Sequence, residues 1–389
     1  MMRIQLPDKV HRIIETLTAA GYEAYAVGGC VRDSVLGRTP NDWDITTSAK
    51  PEDVKRLFTR TIDTGIKHGT VTVMMDREAF EVTTYRIDGV YDDGRHPREV
   101  TFTASLAEDL RRRDFTINAM AYNEKTGLVD LFDGMQDIQA GMIRCVGNAE
   151  ERFTEDALRM LRAVRFSAQL GYEIAVDTKN AVRKLAPNLR KISAERIQTE
   201  LVKLVVSDHP DYMRTAYETG ITGQILPEFD LCMETVQNNP HHCYNVGEHI
   251  LHAMLEVEPD KVLRLGMLFH DIGKPQTLTI DEKGITHNKG HAAVGEKMTM
   301  QILRRLKFDN DTIQKVTKIV RCHDQEVESS PAGVRRAVHR IGEDIFRMLF
   351  AVKRADILAQ SDYQREEKLA RLAYIYELYE EICRKQECV

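Results

Sequence analysis

Two carboxylates stand one residue apart in Asp42-Trp43-Asp44, downstream of a glycine pair in Gly28-Gly29-Cys30-Val31-Arg32-Asp33. Alternate side chains of a strand share a face, so a strand over Asp42–Thr46 predicts that Asp42 and Asp44 project together. Two like charges side by side are unfavourable without a cation to bind. Oxygen donors suit Mg²⁺, and two such ions about 3.5–4 Å apart can activate a hydroxyl nucleophile and stabilise a leaving pyrophosphate. Glu81, in the run Phe80-Glu81-Val82-Thr83, is either a third carboxylate of this centre or a solvent-facing strand residue. The glycines let a backbone approach phosphates closely, and a helix opening there offers free N–H groups to an anion. Alone, a glycine pair is equally a plain strand-to-helix turn.

A second set of chemical groups lies towards the C-terminus. His249 precedes an apolar run that ends in His270-Asp271, followed by Lys274, His291, His323-Asp324 and Asp356. Imidazole plus carboxylate is a ligand set for a divalent transition metal that activates water. A lone histidine is usually structural, but the ordered series His249, His270, Asp271, His291, His323 and Asp356 points to a metal site.

The elements that must hold these groups follow from periodicity. Val10, Ile13, Ile14 and Leu17 repeat at helical spacing, with Gly21 ending that helix. Ala24–Val27, Asp42–Thr46, Val71–Met75 and Glu81–Tyr85 read as strands, and Asp88–Arg98 as a flexible polar loop. From about Glu151 the pattern is helical, beginning with one long helix over Thr154–Leu170. On it Asp156 and Arg159 share a face at i, i+3. A carboxylate only accepts hydrogen bonds and a guanidinium only donates. Together they match the amino group and ring-nitrogen acceptor of cytosine or adenine. Uracil and guanine would leave both side chains unpaired, at about 1–3 kcal/mol each. The alternative is a helix-surface ion pair of little consequence. Arg162 and Arg165 continue the helix and suit triphosphate or RNA phosphates, with Arg183, Lys184 and Lys191 as a further track. Asn238-Asn239-Pro240 marks a boundary, and a final helix over Glu366–Arg384 carries Leu369, Leu372, Tyr376 and Tyr379 on one face. The expected domains are 1–148, 149–237, 238–360 and a tail over 361–389.

Composition narrows the class. The formal net charge of −6 argues against a simple basic nucleic-acid binder. A local positive surface is enough to hold a phosphate backbone, however, and Arg111-Arg112-Arg113 is one such cluster. No apolar run reaches the roughly 20 residues of a membrane span, and Met1–Val10 lacks a signal-peptide core. Seven scattered cysteines with no CxxC pair read as reduced thiols. A cytoplasmic protein is expected.

Gly28-Gly29-x-Val31-Arg32-Asp33 with Asp42-x-Asp44 resembles the signature of the DNA polymerase β nucleotidyltransferase superfamily. The closer resemblance is to the branch of class II tRNA CCA-adding enzymes and bacterial poly(A) polymerases. Arg112-Arg113-Asp114-Phe115-Thr116-Ile117-Asn118 resembles that branch's ribose-recognising motif, Asp130 to Arg144 its head-to-neck motif, and Glu155-Asp156-x-x-Arg159 its nucleotide-selecting motif. The resemblance implies an α/β head with a small mixed sheet, then an all-α neck and body. It implies Asp42, Asp44 and Glu81 as catalytic residues with Mg²⁺. The nucleotide would be bound by Gly28, Gly29, Arg32, Asp33, Arg113, Asp114, Asn118, Asp156, Arg159, Arg162 and Arg165. It further implies tRNA, CTP and ATP as partners. Residues 240–360 resemble the HD superfamily of metal-dependent phosphohydrolases: His249, His270, Asp271 and Asp356 match its core ligands, and His291 and His323 those of its two-metal members. An all-α domain with phosphatase or phosphodiesterase activity and a transition-metal ion is what that implies. Four alternatives stay open: A-only addition, CC-only addition, poly(A) synthesis, or an HD phosphohydrolase with an RNA-binding head. The Arg86, Arg95 and Arg98 side chains of the polar loop favour complete CCA addition or A-addition. A Gly-Arg-Arg-Phe-like stretch typical of poly(A) polymerases is missing, Asp63–Gly69 standing in its place.

Overall fold

A computed structural model describes residues 3–89 and 100–387. It divides into two compact units, one formed by 1–163 with 172–191, the other by 164–171 with 192–389. The expected 149–237 domain is therefore split between them. No described helix is long and apolar enough to cross a membrane.

The first unit is built on a seven-stranded mixed sheet. Its spatial order is Thr61–Gly65, Thr70–Met75, Glu78–Thr84, Ile45–Thr47, Ala24–Val27, Met120–Asn123, Gly127–Asp130. Only the Ile45–Thr47/Glu78–Thr84 pair is parallel within this sheet. Ala24–Val27 and Met120–Asn123 are buried at every position, as interior strands covered on both faces must be. The first helix, Asp8–Ala19, buries Val10, Ile13, Ile14 and Leu17 as its spacing required and packs on Ala24–Val27. The hairpin between Thr70–Met75 and Glu78–Thr84 turns through Asp76 and Arg77, both at positive φ. Such a two-residue turn matches the twist of its strands.

Two expectations need correction, and a third falls largely outside the described residues. The strand carrying the acidic pair begins at Ile45, not Asp42, so Asp42 and Asp44 precede it. The main chain at Asp44 still follows the sheet, because the Val27 N–H donates to the Asp44 carbonyl at 3.0 Å. The helix expected over Thr154–Leu170 is two helices, Ala149–Glu155 and Leu158–Leu170, broken at an extended Asp156. The Asp156 carboxylate accepts from the Leu158 N–H at 3.0 Å, so it starts the second helix. Much of the polar loop, with Arg95 and Arg98, lies outside the described residues; Arg86–Asp88 pairs as a short ribbon with Val100–Phe102.

The second unit is helical apart from a short hairpin, Thr279–Ile280 with Thr286–His287. Asn245, Asp260, Asp309 and Ser330 cap its helices by accepting from main-chain N–H groups one turn on. Gly273 lets the helix His291–Arg305 come close. A Cβ there would stand 2.3 Å from the His291 carbonyl oxygen. The last helix, Arg365–Glu387, buries Ile375, Leu378, Tyr379 and Ile382; Tyr376, expected on one face with Tyr379, is 40% exposed. That helix packs on Pro331–Ile341 and Glu343–Leu358, so it is part of this unit and no separate tail.

Candidate active site and metal centre

The turn at Gly28 organises the first site. Its N–H donates to the Met120 carbonyl at 3.1 Å and its carbonyl accepts from Arg32 at 3.1 Å. Its φ is +84°, and an added Cβ would lie 3.1 Å from Nη1 of Arg113. The bare backbone thus leaves room for a guanidinium beside the acidic pair. The parallel register Ile45↔Val82 sets Asp44 level with Glu81. Surrounding protein raises the Asp44 carboxyl to about 6, reinforced by Asp42 and Glu81 and opposed by Arg113. The side chain keeps access to solvent. The structure therefore brings Asp42, Asp44 and Glu81 into one electrostatic neighbourhood, and carboxylate oxygens are the donor type a hard divalent cation takes.

Arg113 is held from behind by a residue the sequence reading missed. Asp109 is fully buried, 2.9 Å from Arg112 and 3.5 Å from Arg113, and accepts from Thr46 Oγ1 at 3.0 Å. Burial opposes its ionisation, but Arg113 and Arg112 outweigh this and hold the carboxyl below its usual range. Its signal was present in sequence: arginines at i+3 and i+4 from an aspartate on one helix face.

A continuous polar chain runs from the glycine turn to the second half of this unit. Arg32 pairs with Asp33 at 2.7 Å and donates to Asn118 Oδ1 at 2.7 Å. Asn118 donates to Asp114 at 3.2 Å, and Arg162 donates to the other Asp114 oxygen at 2.8 Å. Asp114 is buried, which disfavours its charge, yet Arg162 and Arg159 keep the carboxyl far below the usual range. Arg162 is thus paired with Asp114. Arg159 begins the helix Leu158–Leu170, with its guanidinium on Glu155 at 2.7 Å and on the Arg152 and Arg112 carbonyls. Arg165 departs from expectation. It is buried against Glu200 at 2.5 Å, donates to Gln169 at 2.8 Å and lies over the Phe166 ring. Those contacts are structural, which removes it from the nucleotide-binding set.

In the second unit the six expected ligands converge from five helices. His249 lies on Val246–Leu255, His270 and Asp271 follow Lys261–Phe269, His291 opens His291–Arg305, His323 ends Asn310–Cys322, and Asp356 lies on Glu343–Leu358. Each imidazole gives Nδ1 to a main-chain oxygen: His249 to Ala359 (3.2 Å), His270 to Met267 (2.7 Å), His291 to Asn288 (2.9 Å), His323 to Val320 (2.7 Å). A carbonyl only accepts, so Nδ1 carries the proton and Nε2 presents a lone pair. His249 and His270 bring their Nε2 atoms to 3.2 Å, and His291 and His323 theirs to 3.1 Å. Neutral rings so placed repel one another unless a cation joins them.

Asp271 joins the two histidine pairs. Its Oδ2 is 3.4 Å from His249 and 3.3 Å from His270, and its Oδ1 is 3.4 Å from His291 and 3.7 Å from His323. Asp356 adds an oxygen 2.9 Å from His249. Donor separations of this size are the edges of a polyhedron with metal–ligand bonds near 2.1 Å. The groups His249/His270/Asp271 and Asp271/His291/His323 each fit a metal ion, with Asp271 shared. Lys274, which the sequence reading left without a role, places its ammonium 2.7 Å from Asp271.

Three family models cover most of the chain: Poly A polymerase head domain over residues 24–144, Probable RNA and SrmB-binding site of polymerase A over 171–233, and HD domain over 241–375. A solved structure of a Bacillus stearothermophilus CCA-adding enzyme in complex with CTP shares 33% identity, covering 95% of this chain and 82% of that one, at a TM-score of 0.70. The chain belongs to the CCA-adding enzyme family. Among curated relatives, the CCA-adding enzyme of Leuconostoc mesenteroides is 55% identical over 205 residues, covering 52% of this chain and 51% of that protein. That of Lactobacillus helveticus is 48% identical over 242 residues, covering 61% and 60%. The chain thus spans about half the length of the curated relatives it matches. The turn at Gly28, the acidic trio and the Arg32–Asn118–Asp114 chain all fall within the residues that match the head domain.

Proposed function

We propose that this chain adds CCA to the 3′ end of tRNA from CTP and ATP, in the cytoplasm. The single observation that carries this reading is the crowding of Asp44 by Asp42 and Glu81 beside Arg113. Its support is membership of the family whose Bacillus member was solved with CTP.

In this reading the tRNA 3′-hydroxyl attacks the α-phosphate in line and pyrophosphate leaves. Phosphoryl transfer of this kind depends mostly on positioning and on neutralising charge. Mg²⁺ held by Asp42 and Asp44, with Glu81 alongside, supplies that neutralisation when bound. Gly28 and Gly29 allow the triphosphate to approach the main chain, and Arg113 meets its charge. The Arg32–Asn118–Asp114 chain fixes the ribose side. Asp156 and Arg159 read the base. Three of the five Arg159 donors are used by Glu155 and two carbonyls, which locks the guanidinium and leaves two donors for a ring nitrogen.

The experiment supplies CTP, ATP or both, with Mg²⁺, to tRNA lacking CCA, CA or A. Completion of all three to CCA is expected. Long adenylate tails indicate a poly(A) polymerase, and extension of only one truncated end indicates a partial enzyme. No extension at all overturns the reading.

The carbonyl-anchored histidines favour a second activity: hydrolysis of a phosphate ester at the centre around Asp271. Activation of water is the chemistry that metal ions supply in such a donor set. Release of phosphate by metal-loaded protein, lost on chelation, is the test.

A further inference from the structure

We infer that the helix Arg365–Glu387 supplies the substrate-recognition wall of the centre around Asp271, and that this centre takes a phosphate ester whose organic part is flat and apolar. The inference rests on the phosphohydrolase reading above.

The ligands Asp271, His291, His323 and Asp356 open into a cleft of about 900 Å³. That is the size of sites that enclose whole organic molecules, about 300–1,000 Å³, and far more than one phosphate group needs. Lys368, Arg371, Leu372 and Ile375 all line it. Their spacing, i, i+3, i+4, i+7, is a single stripe of the helix. The stripe is graded along its length. At one end Lys368 feels the charge of Asp356, so it lies on the metal-ligand side. Its ammonium is held by Gln360 Oε1 at 2.7 Å and His241 Nδ1 at 3.1 Å. Further along come Leu372 and Ile375, joined in the lining by Leu349 and Phe350 of Glu343–Leu358. This helix also buries Leu378, Tyr379 and Ile382 against the rest of the unit. Leu372 is only half-buried, and the surface it keeps borders the cleft.

An anion at the metal ligands with an apolar group beside it matches this gradient. A small polyol phosphate would leave the apolar wall against water. A nucleic-acid strand would set its next phosphates against the apolar surface of Leu372 and Ile375. In the reaction, water adds to phosphorus and the P–O ester bond breaks. The proton from the water ends on the departing alkoxide, giving an alcohol and inorganic phosphate.

The experiment compares kcat/KM of the full-length, metal-loaded protein on 1-naphthyl phosphate and glycerol 2-phosphate. Calorimetry of 1-naphthylphosphonate, which cannot be hydrolysed, gives binding independently of turnover. Wild type is expected to prefer the naphthyl ester by tenfold or more. Leu372→Ser is expected to cut that preference about tenfold, since loss of one apolar contact changes discrimination by about that much. Lys368→Gln, on the half-buried part of the stripe, is expected to weaken the phosphonate about tenfold and is the fallback should Leu372→Ser not fold. Bound metal measured on each variant verifies that the centre is intact. Equal rates on both esters, with neither variant altering the ratio or the phosphonate affinity, overturn the inference and leave hydrolysis standing. Hydrolysis of neither ester, with metal bound and the phosphonate not bound, overturns both.

Discussion

Neutralising Asp44 is expected to stabilise the head while disabling it. The Asp44 carboxyl is raised from 3.8 to about 6, first by burial among protein atoms and then by Asp42 and Glu81. A carboxyl raised on folding favours the protonated form, so its charge opposes folding. That penalty is absent below the unfolded value near 4 and complete above pH 6. At about 1.4 kcal/mol per pH unit the displacement corresponds to about 3 kcal/mol. The side chain is solvent-accessible, and screening reduces the figure to about 1 kcal/mol. Without divalent metal at pH 8, Asp44→Asn should therefore unfold at a temperature higher by about 2–4 °C. At pH 4 the difference should nearly vanish. Adding Mg²⁺ should raise the wild type more than the variant, because a ligand stabilises the state that binds it. Scanning calorimetry at the two pH values, with and without Mg²⁺, measures all three. A variant less stable without metal, or one equally stabilised by Mg²⁺, would refute the reasoning.

Three further substitutions test other parts of the molecule. Gly28→Ala forces a side chain into a glycine conformation 3.1 Å from Arg113. It should cost about 1–3 kcal/mol in denaturant titrations and reduce nucleotide addition with it. Asp114→Asn takes the buried negative charge away from its pair with Arg162 and should cost about 3–5 kcal/mol. Because the Asp114 carboxyl is held low, its contribution is present above about pH 4 and lost as pH falls further, so the gap from wild type should narrow in acid. Asp271→Ala removes the oxygen shared by both histidine pairs. Elemental analysis should find the metal of the second unit lost, while CCA addition proceeds at nearly the wild-type rate.

The positions of helices and of chemically reactive residues were legible wherever a local rule set them. Val10, Ile13, Ile14 and Leu17 fixed the first helix by period, and the histidine series pointed to a group able to hold a metal because imidazoles and carboxylates recurred in order. What could not be read was set by tertiary contacts. The break at Asp156 arises because its carboxylate caps the following helix, and i, i+3 spacing looks the same across such a break. Arg165 looked like its neighbour Arg162 until its burial against Glu200 appeared. Asp109 matters through Thr46, 63 residues away in sequence, as well as through nearby arginines. The shared role of Asp271 depends on four helices meeting, which no spacing along one chain specifies.

The central measurement is the single-turnover rate of CTP incorporation into tRNA lacking CCA, with Asp42 and Asp44 both changed to asparagine. Metal-borne charge neutralisation contributes several kcal/mol to such transfers, and each 1.4 kcal/mol is tenfold in rate. A loss of about a thousandfold or more, with tRNA affinity retained, is predicted. Incorporation at the wild-type rate by that double variant would contradict the account.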